Sequence, residues 1–240
     1  MPDALFADPR LARLYDIFEG DRTDLAVYLR LARELGARSV LDVGCGTGCF
    51  AILAAAMGLG VSGVDPAQAS LDVARGKPGA EQVHWHCGEL ADAPLARHDL
   101  AVLTGNVAQV FLDDAEWQAT LRSIRERLHP GGHLVYETRR PEDRAWERWQ
   151  QQPFEASHTV EQVGLVRLRR VVTGVELPFV SFRHVFGFPD GSEFSADSTL
   201  RFRGDGESRM FLEQNGFRVL EVREAPDHRG RELVYLAVAE

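Results

Sequence analysis

The sequence predicts an α/β fold in which a parallel sheet carries helices on both faces and an antiparallel segment is inserted late in the chain. Three observations carry that prediction. Residues 40–48 read V-L-D-V-G-C-G-T-G, an apolar strand entering a glycine-crowded turn, and Cys49–Met57 continue as an apolar helix. Strand-length and helix-length apolar patterns then alternate as far as residue 138, the signature of a parallel sheet covered by helices. Between residues 155 and 203 the period drops to two, which signals antiparallel strands.

Each element has a local reason. Asp8-Pro9 joins a capping acid to a proline suited to the first helical turn, so a helix starts there and runs through Tyr15. A second helix covers about 24–35, with Leu25, Tyr28, Leu29, Ala32 and Leu35 on one stripe and Gly36 as its stop. Strand 39–43 leads to helix 47–57, strand 60–65, helix 67–75 and strand 82–87. Strand 99–104 precedes a helix over 114–128, opened by the capping box Asp113-x-x-Glu116 and ended by His129-Pro130-Gly131-Gly132. Strand 133–138 follows. In the inserted segment Val180, Phe182, His184, Phe186 and Phe188 alternate with Phe179, Ser181, Arg183 and Val185. Beyond the turn Pro189-Asp190-Gly191, Phe194, Ala196, Leu200 and Phe202 share a face, so three or four strands are expected. Arg167, Arg169 and Arg170 read as the solvated side of a strand. A helix near 206–215 and strands 217–224 and 231–239 close the main sheet.

Composition narrows the function. A length of 240 residues suits one domain with an insertion, and a net charge of −9 argues against a nucleic-acid partner, which needs a basic face. No apolar stretch approaches the roughly 20 residues of a membrane span, and no basic-then-apolar leader opens the chain. Three cysteines build no disulfide framework, so the cytoplasm is the expected compartment. Cys45 and Cys49 lie in the glycine motif and Cys87 lacks metal-site spacing, so no metal is expected.

A strand–glycine turn–helix presents bare backbone to a ligand. The spacing here is G-x-G-x-G, whereas the dinucleotide fingerprint G-x-G-x-x-G would need its third glycine at Cys49. Asp42, two residues before the first glycine, would repel a pyrophosphate. A cationic ligand suits the loop better.

The nine residues resemble the first motif, (V/I)LD(V/I)GCGTG, of class I S-adenosylmethionine-dependent methyltransferases of the small-molecule type. The resemblance implies a Rossmann-like seven-stranded methyltransferase sheet, S-adenosyl-L-methionine as cofactor, and in-line methyl transfer to N or O of a small soluble acceptor. It places Asp42, Gly44, Cys45, Gly46 and Gly48 around the cofactor. Asp65 in G-V-D-P, 23 residues after Asp42, would accept the ribose hydroxyls beside Pro66, although a helix cap is the competing role. Gly88-Glu89-Leu90 resembles the G-D-x adenine motif with Glu in place of Asp, one methylene longer. Thr104, Asn106 and Val107 follow the fourth strand, where the pocket should lie. Tyr15 belongs to a Tyr-Asp pair that opens many small-molecule members. Asn106 is not followed by P-P-(Y/F), which argues for a small-molecule acceptor.

Catalysis needs a positioned nucleophile and, for a hydroxyl or ammonium, a proton acceptor. Glu137, at the end of the fifth strand, is the leading candidate, with His184 and His158 in the insertion behind it. His98 and His129 fall at the opposite strand ends and are expected at the surface. The expected division is a cofactor-binding core over 1–150, an antiparallel β insertion over 151–204 serving as acceptor lid or homodimer surface, and residues 205–240 completing the sheet. Two other functions fit a similar sheet. One is a nucleotide- or nicotinamide-binding oxidoreductase or epimerase, disfavoured by the glycine spacing and Asp42. The other is a regulatory protein that binds S-adenosylmethionine without transferring methyl.

Overall fold

A computed structural model describes residues 2–240. Strands β1 (Ser39–Val43), β2 (Gly60–Asp65), β3 (Val83–Cys87), β4 (His98–Leu103) and β5 (Leu128–Arg139) come first, then the inserted β6 (Phe154–Val160), β7 (Gly164–Glu176), β8 (Phe179–Gly187) and β9 (Glu193–Arg201). Strands β10 (Phe217–Glu224) and β11 (Glu232–Ala239) end the chain. The main sheet has the order β10-β11-β5-β4-β1-β2-β3, and β6-β7-β8-β9 form a separate four-stranded sheet. Strands β1 to β5 pair in parallel, while β11 runs antiparallel between β5 and β10. The parallel strands therefore end together, and their carboxyl edge is where loops build a site.

Alternate residues of the central strands face opposite helical layers. Leu41, Leu103 and Leu134 meet α6 (Asp114–Glu126) and α8 (Asp205–Gln214) through Trp117, Leu121 and Phe211. Val40, Val102 and Val135 meet α3 (Ala26–Glu34) and α4 (Cys49–Ala56) through Tyr28, Leu31, Phe50 and Ala54. Full burial of each large side chain contributes about 1.5–3 kcal/mol. The Asp113 carboxylate caps α6 by accepting from the Ala115 and Glu116 amides at 2.8 and 3.1 Å.

The amino-terminal helices α1 (Ala4–Ala7) and α2 (Pro9–Glu19) join the two sheets. Leu5, Leu11 and Leu14 pack against Val166, Leu168, Phe186 and Ala196 of the inserted sheet. On the other side Asp16 accepts from the Thr47 hydroxyl at 2.5 Å and pairs with Lys77 at 2.5 Å, which ties α2 to the glycine loop. Helix α5 (Gln68–Arg75) receives the same helices through the Ser70 hydroxyl, which donates to the Phe6 carbonyl at 3.0 Å.

Four expectations need correction. His98 is buried, not superficial, with its ring nitrogens 3.1 Å from the Ser62 hydroxyl and 3.4 Å from the Arg127 carbonyl, and burial lowers its pKa. Helix α6 ends at Glu126, before the proline, and β5 already starts at Leu128, with an irregular register against β4 between His98 and Leu100. A short helix α7 (Ala145–Gln151), unread in the sequence, buries Trp146 before the insertion begins. Arg170 departs from the solvated reading, because it falls in phase with the buried Val166 and Leu168 and turns inward. No helix among the described residues is long and apolar enough to cross a membrane.

Candidate active site

The three glycines of the loop all have positive φ, at 71°, 53° and 77°, yet they serve different ends. A Cβ on Gly44 would lie 2.6 Å from Val107 Cγ1, and one on Gly48 would lie 2.5 Å from the Trp85 ring and 2.9 Å from Ala74 Cβ. Those two glycines permit close packing. A Cβ on Gly46 meets nothing within 4 Å, so that residue leaves open space above bare backbone.

Asp65 stands beside this loop at the end of β2. Its Oδ2 accepts from the Gly46 amide at 2.8 Å and its Oδ1 from the Ala67 amide at 2.8 Å. The N-cap of α5 is Ala67, so Asp65 shapes the turn without capping the helix. A carboxylate has about four lone-pair sites, which leaves Asp65 able to accept two further donors. Burial raises its pKa, while the two amides pull the other way. Asp42 lies beneath the loop, 1 % exposed, and neither oxygen has a hydrogen-bond partner. Burial, reinforced by the charge of Asp65, pushes its carboxyl up to about 7.

Above the loop opens a chamber of about 560 Å³. Tyr15, Gly44, Cys45, Gly46, Asp65, Pro66, Gly88, Glu89, Leu90, Thr104 and Val107 all reach its wall. Asp42 and Gly48 do not, since one is buried behind the loop and the other packs under Trp85. Asn106 does not reach it either. It adopts a left-handed conformation, φ 63°, and directs its amide 3.4 Å from Glu232.

A second chamber of about 370 Å³ adjoins the first, and Tyr15, Arg22, Gly105 and Ser198 line both. Asn106, Glu137 and His184 face this second space. Glu137 accepts from the Tyr28 hydroxyl, the Gly105 amide at 2.6 Å and the Asn106 amide at 3.3 Å, so it fastens the loop after β4. Burial is the main cause of its raised pKa. His184 Nδ1 is buried without a partner, and burial with the nearby Arg170 charge lowers its pKa to about 4. The imidazole is therefore neutral at pH 7. His158 is not brought to the site: it is exposed on β6, edge-on to Phe18 with ring centroids 4.9 Å apart. Of the three phenylalanines alternating along β8, Phe182 enters the chamber, while Phe186 and Phe188 pack toward the amino-terminal helices.

Sequence reasoning missed Arg22, Trp149 and Arg170, which line the second chamber together with Arg139, placed by the sequence beside Glu137 near the end of the fifth strand. Arg22 holds Asp24 at 2.8 Å, and Arg139 lies 3.5 Å from Glu232. For Arg170 a signal existed, because counting by twos from Val166 lands on it. For Arg22 and Trp149 none did, since the segment after α2 and helix α7 meet the chamber only in three dimensions. Among the described residues, no group of three or more His, Cys, Asp or Glu is gathered as for a metal ion.

Known proteins agree with this architecture. Residues 40–132 match the family model described as a methyltransferase domain. Cypemycin N-terminal methyltransferase from Streptomyces sp is 29 % identical over 55 % of this chain and 56 % of its own length, and glycine N-methyltransferase from Rattus norvegicus is 30 % identical over 58 % and 54 %. The chain thus spans about half the length of the curated relatives it matches. Among solved structures, the CcbJ methyltransferase from Streptomyces caelestis superposes with a TM-score of 0.78 at 23 % identity, covering 95 % of this chain and 96 % of that one. CalS10 from Micromonospora echinaspora, an amino pentose methyltransferase solved with S-adenosylmethionine bound, gives 0.66 at 26 % identity over 90 % and 89 %. The strand order and the glycine loop thus go with a fold shared with known methyltransferases, and residues 40–132 match a methyltransferase domain.

Proposed function

We propose that the protein transfers a methyl group from S-adenosylmethionine to N or O of a small acceptor, with the cofactor in the larger chamber and the acceptor in the smaller. The observation that carries this reading is the adjoining pair of chambers, one walled by the glycine loop and Asp65, the other by the inserted sheet. The residues fit the cofactor. Gly46 leaves backbone open, Asp65 keeps free lone pairs beside Pro66, and Asp42 holds an unpartnered buried acid beneath the loop.

When bound, S-adenosylmethionine supplies an electrophilic methyl group on a sulfonium. In this reading Asp65 accepts from the ribose and Glu89 from the adenine amine, while the Leu90 amide meets a ring nitrogen. Tyr15, Arg22, Gly105 and Ser198 border both chambers, so they shape the place where acceptor meets cofactor. The chain's part in the chemistry is placement, which fixes the acceptor atom and keeps water out. An acceptor that must lose a proton has two groups to receive it. Glu137 faces the chamber but is held by Tyr28 and the Gly105 amide, whereas His184 offers a neutral imidazole with Nδ1 unengaged. Residues 1–150 and 205–240 form the proposed cofactor-binding core and 151–204 the proposed acceptor wall. A homodimer through the insertion is part of the same proposal, read by mass in solution.

The test is methyl transfer from labelled S-adenosylmethionine across a panel of small amines and alcohols, with S-adenosylhomocysteine binding followed by calorimetry. Binding together with turnover of a panel member is the expected result. Tighter binding of nicotinamide dinucleotides than of S-adenosylhomocysteine would overturn the reading. Binding with no turnover of any acceptor would favour a regulatory protein.

A further inference from the structure

We propose that the second chamber takes an acceptor bearing an oxyanion, a carboxylate or a phosphate, and that Arg170 is the residue that holds it. This rests on the acceptor reading above and adds the chemical class of the substrate.

The argument begins with the register of the inserted sheet. Arg170 on β7 pairs with Phe154 on β6 and with His184 on β8. Its phase with Val166 and Leu168 points it to the inner face. There its guanidinium carbon lies 5.1 Å from the ring centre of Phe154, 5.8 Å from Trp149 and 5.9 Å from Phe182. Three aromatic faces hold the planar fork in place without answering its five N–H donors.

The other arginines of this chamber are already engaged. Arg22 pairs with Asp24 at 2.8 Å, and Arg139 donates to Gln109 at 3.0 Å and approaches Glu232 at 3.5 Å. Among the described residues Arg170 has neither a carboxylate within 4.0 Å nor a hydrogen-bond acceptor. Burial and the Arg139 charge both disfavour its charged form, with Glu19 and Tyr15 opposing them. A guanidinium nonetheless stays charged in proteins, so the site keeps an unanswered cation. Arg170 is half-buried, so a ligand anion reaching it would supply a partner that the chain itself does not provide.

The acids around the chamber do not fill that role. Asp24 and Glu232 are the partners already named, Glu137 is bound to Tyr28, Asp3 is half-buried without an ion pair to Arg170, and Glu19, Asp21 and Asp227 are exposed at the rim. Trp149, Phe154 and Phe182 give the Arg170 end an apolar surround, where a bidentate contact to an oxyanion is strong. An acceptor with an anion at one end and its methyl-accepting atom toward Gly105 and Tyr15 would use both ends of the space.

Calorimetry on the full chain saturated with S-adenosylhomocysteine tests this with three probes of similar shape: benzoate, phenyl phosphate and benzyl alcohol. The wild type should bind at least one of the two anions ten-fold or more tightly than the neutral alcohol, and the favoured anion identifies the source of the oxyanion. Arg170→Gln should weaken that anion at least ten-fold, Arg170→Lys should weaken it less, and neither should change affinity for the alcohol. Equal binding of anion and alcohol by the wild type, or an Arg170→Gln protein that binds the anion normally, overturns the proposal. The wild-type preference decides the matter even if a variant does not fold. Failure of the wild type to bind S-adenosylhomocysteine is a different result, which removes the methyltransferase reading itself.

Discussion

The two chambers are built by different means. The larger is walled in good part by backbone and near neighbours in sequence: Gly44 and Gly46 of the loop, Asp65 at the next strand end, Gly88 and Glu89 at the one after. The smaller is made of side chains brought from elements far apart in the chain, among them Tyr15 from α2, Glu137 and Arg139 from β5, Trp149 from α7, Arg170 from β7, and Phe182 and His184 from β8. A wall of backbone at the ends of parallel strands suits one invariant ligand. Residues of the inserted sheet that line the smaller chamber alone, such as Arg170, Phe182 and His184, can be altered without touching the wall of the first.

That contrast can be sharpened by variants whose effects should fall on one side or the other. The largest effect is expected within the glycine loop. Gly48→Ala must place a Cβ 2.5 Å from Trp85 at φ 77°, and strain plus overpacking should cost about 2–4 kcal/mol in urea denaturation. Gly46→Ala meets no atom within 4 Å and should lose far less stability while weakening S-adenosylhomocysteine. Equal destabilisation by both changes would contradict the division of labour among the glycines.

Next is Glu137→Gln. General-base assistance is worth about 10²–10⁴-fold, so kcat should fall by at least a hundred-fold for a poorly acidic hydroxyl acceptor if Glu137 receives the proton. Gln keeps an oxygen for the Gly105 amide, so a fall of only a few-fold with an unchanged pH profile would assign Glu137 to holding the loop. His184→Ala then becomes the informative variant.

Asp42 supplies a pH prediction on the same scale. Its carboxyl is raised to about 7 in the folded protein against an ordinary value near 3.8, so folding favours the protonated form. Its contribution is fully present below about pH 4 and is lost as pH rises through about 7. Between pH 5 and 8 the protein without ligand should lose stability on the order of 2–3 kcal/mol from this group, at 1.36 kcal/mol per unit. Asp42→Asn should flatten that slope. A slope unchanged in the variant would place the titration elsewhere. The smallest effect belongs to His158→Ala, which should leave kcat within about two-fold, because an exposed side chain outside both chambers contributes within about ±0.5 kcal/mol.

What could be read in advance follows the same line. The wall of the first chamber was legible because glycines at fixed spacing and acids at consecutive strand ends are features that survive in one dimension. The four inserted strands were legible through period-two alternation, and the buried Val180, Phe182, His184 and Phe186 share the predicted face. Arg170 was misread because three arginines within four residues look like a solvated edge, although only its two neighbours in that run face water. His98 was misread because a strand's starting end was equated with the surface, whereas Arg127 and Ser62 cover it. Trp149 carried no signal, since its partners Arg139 and Arg170 are ten and 21 residues away and meet it only through the fold.

The independence of the two chambers is most directly tested by calorimetry of S-adenosylhomocysteine with wild type, Asp65→Ala and Phe182→Ala. Loss of charge-assisted bonds at Asp65 should weaken binding by about ten- to a hundred-fold, or about 1.5–3 kcal/mol, while Phe182→Ala should leave it within about three-fold. A folded Phe182→Ala protein that no longer binds, or an Asp65→Ala protein that binds like wild type, would contradict a site made of two separable parts.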